Sequence, residues 1–406
     1  MTSQPLNPEH GFAIELAIAA YGYGVSLYRL ESVLDRLGAA RGYNVEVMSS
    51  GSVAQLIFWQ EEQERQHSYF VRLPAANPDL TKLVLTGELA DSVQAGDTSP
   101  AEGIDHLAEI GGTPARFGAL TNALAFGLIG AAVAVIFASP WIDVILGGLL
   151  SVAVYGIVIL AGRLPWVAKA LNFVSALVAA VLATGLAALL PGSNPFVLVL
   201  CAIAVFIPGF LLTMGLNDIM LHYTVAGINR LVDGLVITVQ LFAGAVIGAL
   251  IARQIWTVPT VAAPTAISFP VLALFVAVLY VGVALFFQVR PRDFVWVILV
   301  GMLTYTGMTL GNQIGFWQGP FLGAFVLGIC GNVFARWRKL PATIVTLPGV
   351  MALLPGVVAY IGLLNTVAGG AVQAVTTAAW QILVTVTALL IGVIVANAIV
   401  SPKVTL

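Results

Sequence analysis

The sequence predicts a polytopic α-helical membrane protein: about ten transmembrane helices arranged as two inverted five-helix repeats, preceded by a small α+β soluble domain. Three observations carry this expectation. Of 406 residues, 59% are hydrophobic and 9% charged, whereas soluble domains carry roughly a quarter charged residues. The charge is also segregated, with seven Lys/Arg and fifteen Asp/Glu in residues 1–117, against ten Lys/Arg and only Asp143, Asp218, Asp233 and Asp293 thereafter. Finally, one Pro-Gly pattern occurs twice in the apolar part, at corresponding places.

The acidic first part, 1–117, reads as α+β. Glu9 to Ala20 and Ser26 to Ala40 show helical spacing, with Leu27, Leu30, Leu34 and Leu37 on one stripe. Val45–Met48, Val53–Trp59 and Ser68–Leu73 read as strands of a small sheet. A third helix is expected over Asp79 to Gln94, and a fourth opens at Ser99-Pro100-Ala101-Glu102, a capping box with proline in the first helical position. "EIGGTPARFG" (109–118) then serves as a hinge into the membrane. Residues 1–25 include Glu9 and Glu15 and lack a basic segment followed by an apolar one, so no cleaved secretory signal is expected.

Runs of about 20 apolar residues fall near 118–138, 141–161, 167–190, 195–217, 231–252, 269–288, 293–311, 317–335, 341–363 and 377–399. With a cytoplasmic N terminus, the inner flanks hold Arg116, Arg163, Lys169, Arg230, Arg290, Arg292, Arg336, Arg338, Lys339 and Lys403, and the outer flanks only Arg253. That asymmetry follows the positive-inside rule and places both termini in the cytoplasm. The proline-rich linker 253–268 divides the membrane region into halves 118–252 and 269–406. Five is odd, so similar halves must lie upside down relative to each other, an arrangement found in secondary transporters.

The repeated pattern sits on spans four and nine. "PGFLLTMGLND" (208–218) aligns without a gap on "PGVVAYIGLLN" (355–365), sharing P-G-x5-G-L-x-[D/N]. Proline deletes an intrahelical hydrogen bond, and with glycine beside it the backbone can unwind. The resulting half-helix carries partial positive charge at its N terminus and can receive a carboxylate, while freed carbonyls can receive an ammonium group. A simple packing kink is the alternative. Asp218 is either a proton carrier at the cytoplasmic mouth or an interfacial cap or partner of Arg230. Asp143 and Asp233 read as span-end residues and Asp293 as part of a loop. On span seven, Tyr305, Thr309 and Asn312 share one face, either lining a cavity or bonding a neighbouring helix; Asn172 and Gln240 pose the same choice.

Enzyme signatures are missing from the sequence. It has no G-x-x-x-x-G-K-[ST] loop and no G-x-S-x-G elbow. His10, His67, His106 and His222 lack metal-ligand spacing, and Cys201 and Cys330 lie inside apolar runs as small buried side chains. No metal, cofactor or nucleic acid is expected.

These residues resemble the threonine/serine exporter (ThrE-like) family. The resemblance lies in "AYGYGVSLYRLESVLDRLGAARGYNVEVMSSGS" (20–52), "PDLTKLVLTGELADSVQAGDTSPAEGIDHLAEI" (78–110), "IPGFLLTMGLNDIMLHYTVAGINRL" (207–231) and "LPATIVTLPGVMALLPGVVAYIGL" (340–363). Two halves that are separate chains in some bacteria look fused here. The resemblance implies a carrier in the bacterial inner membrane that exports threonine, serine or a similar zwitterion, driven by protons. Substrate contacts are then expected at Pro208, Gly209, Thr213, Asn217, Pro355, Gly356, Tyr360 and Asn365, with Tyr305, Thr309 and Asn312 as further candidates and Asp218 as the proton-coupling residue. Pro348-Gly349 is an alternative second break. Relatives associated with dicarboxylates keep a succinate-like substrate open. A membrane-tethered hydrolase using the N-terminal domain, with Ser26 or His67 as test positions, is a further alternative. Self-association into a homo-oligomer also stays open.

Overall fold

The computed structural model describes residues 7–50, 53–60, 66–74, 77–220, 222–257, 264–353 and 372–401. The N-terminal unit opens with α1 (Pro8–Gly22) and α2 (Leu27–Arg41), continues through strands β1 (Asn44–Ser50), β2 (Val53–Trp59) and β3 (Gln66–Arg72), and closes with α3 (Leu80–Ala95) and α4 (Pro100–Gly112). The strands form one antiparallel sheet in the order β1-β2-β3. Alternation along β2 turns Ala54, Leu56 and Phe58 inward, with Val47 and Val45 opposite Leu56 and Phe58. The stripe Leu27, Leu30, Leu34 and Leu37 is buried against this face together with Phe12 and Leu16. Ser99 and Glu102 form the reciprocal capping box that starts α4.

Among the described residues, seven helices are long and apolar enough to cross a membrane. They are α5 (Ala119–Ile136), α6 (Trp141–Ala161), α8 (Leu171–Leu189), α11 (Thr224–Ile255), α12 (Phe269–Phe286), α13 (Phe294–Ile314, extended to Pro291 by a 3₁₀ turn) and α14 (Gln318–Arg338). A short α7 (Pro165–Lys169) precedes α8. The fourth apolar run is divided into α9 (Pro195–Ile203) and α10 (Gly209–Met220). The ninth is described only as α15 (Thr343–Leu353), and the tenth lies in α16 (Val372–Ile399). Helix α11 has 32 residues, well beyond the roughly 20 that span a bilayer. Its first turns therefore project past the apolar layer toward the N-terminal unit, and its start at Thr224 lies ahead of the expected 231.

The N-terminal unit is bonded to one end of the helical bundle. The Leu80 amide donates to the Phe287 carbonyl at 3.0 Å, and the Thr81 hydroxyl to the Gln288 carbonyl at 2.6 Å. The Gln288 side chain accepts from the Phe117 amide at 2.7 Å and reaches Asn122 at 3.2 Å, so the turn after α12 also holds the start of α5. Glu88 pairs with Arg290 at 3.1 Å.

That turn has a counterpart at the opposite end of the bundle, between α5 and α6. Phe137 N–H to Val133, Ala138 to Val135, Ser139 to Ala134 and Asp143 to Pro140 recur at one constant offset as Phe287 to Val283, Gln288 to Leu285, Val289 to Ala284 and Asp293 to Arg290. Ala138 and Gln288 take the same left-handed conformation, at φ 51° and 54°, which non-glycine residues rarely adopt. The same bend thus opens each half of the membrane region, once at the end distant from the N-terminal unit and once beside it.

Candidate functional site

The fourth run breaks where the Pro-Gly pair falls. Helix α9 ends at Ile203, residues 204–206 tighten into a 3₁₀ turn, and Ile207 is extended at φ −63° and ψ 120° before α10 starts at Gly209. Pro208 has no N–H to continue the ladder; its carbonyl instead accepts the Leu212 amide at 3.1 Å and so opens the new helix. The Gly209 amide bends back to the Ile207 carbonyl at 2.8 Å. Twelve residues on either side, at the usual helical rise, put the break about 18 Å from each end of the run. The positive end of α10 therefore lies midway along the apolar run. Thr213 and Asn217 stand one turn apart on α10, with side chains outside the described residues.

Beyond them, α10 turns back onto α11 so closely that a Cβ on Gly215 would lie 2.9 Å from the Gly227 carbonyl. This approach brings Asp218 to Arg230. The carboxylate is 0% exposed and the guanidinium 13%, with Nη1 and Oδ2 2.9 Å apart. An isolated carboxylate there would be costly, so the pair must be held by the backbone around it. Arg230 is the partner weighed from sequence, and the structure adds what covers it: the Tyr21 ring of α1 lies 5.6 Å from the guanidinium carbon.

Three more contacts surround this point. The Tyr223 hydroxyl donates to Glu31, Tyr28 meets the Tyr223 ring edge-on at 6.5 Å, and Arg29 donates to the Thr343 hydroxyl at 2.9 Å. Residues 21–31 thus touch α11 of the first half and α15 of the second. Burial, followed by repulsion from Asp35 and Glu46, raises the Glu31 carboxyl above its ordinary range. None of these docking residues stands out singly in the sequence.

The second half is described less fully. Pro355, Gly356, Tyr360 and Asn365 lie outside the described residues. Pro348 falls inside α15, which continues through it, so Pro348-Gly349 does not form the alternative break; Gly349 instead packs tightly on Leu327 of α14. On α13, Thr309 donates to the Thr306 carbonyl at 2.9 Å within its own helix. Tyr305 is half-buried, and Asn312 is exposed, its amide oxygen against Gly319. Thr304 and Thr306 likewise bond carbonyls of their own helix. Asn172 donates to Gln240 at 3.1 Å, joining α8 to α11, which is packing of the membrane-helix kind. A cavity of about 690 Å³ lies in the N-terminal unit beside the hinge, lined by Tyr23, Asn77, Asp79, Lys82, Ile104 and Leu107 among others.

Two acids read as span-end or loop residues prove buried. Asp143, at the start of α6, is 0% exposed and accepts the Asn194 amide at 3.0 Å. Asp293 is 1% exposed, between Arg290 at 3.7 Å and Arg292 at 3.9 Å. They occupy matching places in the repeated turn, whose copies at 133–143 and 283–293 share the gap-free pattern V-A-x2-F-x5-D.

A family model described as a putative threonine/serine exporter matches residues 11–252. A second, described as Threonine/Serine exporter, ThrE, matches residues 272–399. No curated protein and no solved structure matches the chain.

Proposed function

This chain belongs to the threonine/serine exporter family, and from that premise we propose that it exports threonine, serine or a similar small zwitterion, driven by the proton-motive force. The observation that carries the reading is the break at Ile207–Gly209, which leaves a helix N terminus midway along the apolar run with a buried Asp218–Arg230 pair at the other end of the same helix. The positive end of α10 suits the substrate carboxylate, and carbonyls freed by Pro208 suit the ammonium group. Thr213 and Asn217, with Tyr360 and Asn365 of the second half, would bond a hydroxyl side chain. Asp218 would carry the coupled proton, exchanging its ion pair with Arg230 for a protonated state.

In this reading residues 1–117 form a cytoplasmic domain, 118–252 and 269–406 are two inverted halves joined by the outer linker 253–268, and both termini lie inside a bacterial inner membrane. Alternating access is a rocking of one half against the other. Residues 21–31 gate the inner mouth, because they bridge the α10–α11 turn and the start of α15. A dicarboxylate substrate is disfavoured by the engagement of Arg230 with Asp218 and Tyr21.

Cells loaded with threonine- or serine-containing dipeptides test the reading. Expression of the chain should speed efflux of the released amino acid, and an uncoupler should abolish the gain. Efflux equal to that of empty cells rejects export, and a gain insensitive to the uncoupler rejects proton coupling.

A further inference from the structure

An exporter that runs on proton entry needs a group that takes protons from the outer side, and Asp218 lies at the inner end of α10. The outer end of the same broken run starts at Asn194, the residue that caps α9. Its backbone amide is held by Asp143, at 3.0 Å from Oδ2. The other carboxylate oxygen, Oδ1, is buried, and the hydroxyl of adjacent Ser193, also buried, interacts with the Asp143 carboxylate. Asp143, Ser193 and Cys201 are each 0% exposed.

What surrounds Asp143 is apolar and uncharged. Helices α5, α8 and α9, which pack on α6, contain no Lys, Arg, His, Asp or Glu; α7, which also packs on α6, carries Lys169 but follows the end of α6 opposite Asp143. The titratable side chain they turn toward it is the Cys201 thiol, fixed where a Cβ on Gly147 would lie 2.9 Å from the Cys201 Cβ. Asp293 occupies the matching place in the repeated turn near the inner mouth but has Arg290 and Arg292 beside it. Asp218 has Arg230. Among the described residues, Asp143 is the buried acid of the membrane region that makes no ion pair, and an ionised carboxylate so placed is costly unless it takes up a proton.

We propose that Asp143 is the proton-accepting group of the outer mouth: it takes a proton from outer water onto its carboxylate, becomes neutral, and releases the proton inward during the transport cycle. The two acids then bracket the broken helix, Asp143 at its outer start and Asp218 at its inner end. The proposal rests on proton-coupled export as proposed above.

The full chain in proteoliposomes provides the test, with Asp143→Asn, which keeps an acceptor for the Asn194 amide, and Asp143→Glu, which keeps a carboxyl. Threonine exchange without a gradient should stay within roughly twofold of wild type in both. Uphill transport driven by a pH gradient should fall about tenfold or more in Asp143→Asn, the size of an ordinary coupling effect, and return in Asp143→Glu with a shifted pH dependence. Infrared difference spectra on changing outer pH should show a carboxylic-acid band that Asp143→Asn lacks. Undiminished gradient-driven transport in Asp143→Asn, or an unchanged band, overturns the proposal. Drive by a sodium gradient that depends on Asp143 overturns it in favour of a sodium site. If wild type exchanges threonine yet ignores every pH gradient, proton-coupled export itself fails, and the band reports separately whether Asp143 titrates. Should Asp143→Asn not fold, loss of the band and of coupling in Asp143→Ser, with rescue by Asp143→Glu, decides the matter.

Discussion

Asp218 and Arg230 are held together by two glycines, with a tyrosine over the guanidinium, so the pair is sensitive to any change in charge. Arg230→Gln leaves a buried carboxylate uncompensated and should destabilise by about 3–5 kcal/mol, while Asp218→Asn combined with Arg230→Gln recovers part of that loss. Thermal unfolding of the four proteins in one detergent measures the coupling; additive effects would show that the two residues do not interact. In transport, Asp218→Asn should lose gradient dependence, and unaltered dependence would leave Asp218 a structural partner of Arg230. His10 is a second sensitive residue. It stacks on Phe58 at 4.3 Å and is 8% exposed; burial first, then repulsion from His67, hold its pKa below the ordinary value, with Glu9 opposing. The folded state thus disfavours the charged ring. Its contribution to stability is intact above the ordinary histidine value, about 6.5, and declines as pH falls through the lower folded value. The N-terminal unit should loosen over that acid range in wild type and less so in His10→Phe, as followed by unfolding temperature against pH. Identical profiles would remove His10 from the account.

At the scale of the element, the break in the fourth run is the feature that most directly joins sequence to chemistry. Pro208→Ala restores the missing N–H, so α9 and α10 can fuse, and transport should fall about tenfold or more while the protein still inserts and folds, since proline is tolerated but not required in membrane helices. Equal transport by Pro208→Ala would make the break a packing kink. Gly227→Leu should separate α10 from α11 and destabilise by a few kcal/mol, as overpacking does, with unfolding temperature as the readout. The break was legible in the sequence because proline acts on its own backbone, whatever surrounds it. So were the helices and strands of the N-terminal unit, whose apolar periodicity states which face is buried. Asp143 and Asp293 were not legible as buried, since their burial depends on α9 and on the 290–293 turn folding over them. The copied turn left a trace, V-A-x2-F-x5-D in both copies, but what defines it is backbone bonds and a left-handed residue, a demand that Ala138 and Gln288 meet with unrelated side chains. One helix contact is likewise conserved with its sizes exchanged, Gly130 against Ser151 in the first half and Tyr280 against Gly301 in the second.

For the whole molecule, the N-terminal unit and the bundle form one device. Residues 21–31 fasten onto α11 and α15, while α3 fastens onto the turn after α12 and, through Gln288, onto the start of α5. If opening the inner mouth requires these contacts to part, a thiol cross-linker joining cysteines at positions 29 and 343 should arrest transport, and a cleavable linker should restore it on reduction. Continued transport in the cross-linked protein would confine the N-terminal unit to a role other than gating. The account rests at last on coupled export through the broken helix. Purified protein in liposomes, given a pH gradient and labelled threonine, serine or succinate, measures it most directly. The account predicts movement of threonine or serine against its own gradient, reversed when the pH gradient is reversed and lost with an uncoupler. Movement of none of the three under any gradient would contradict it.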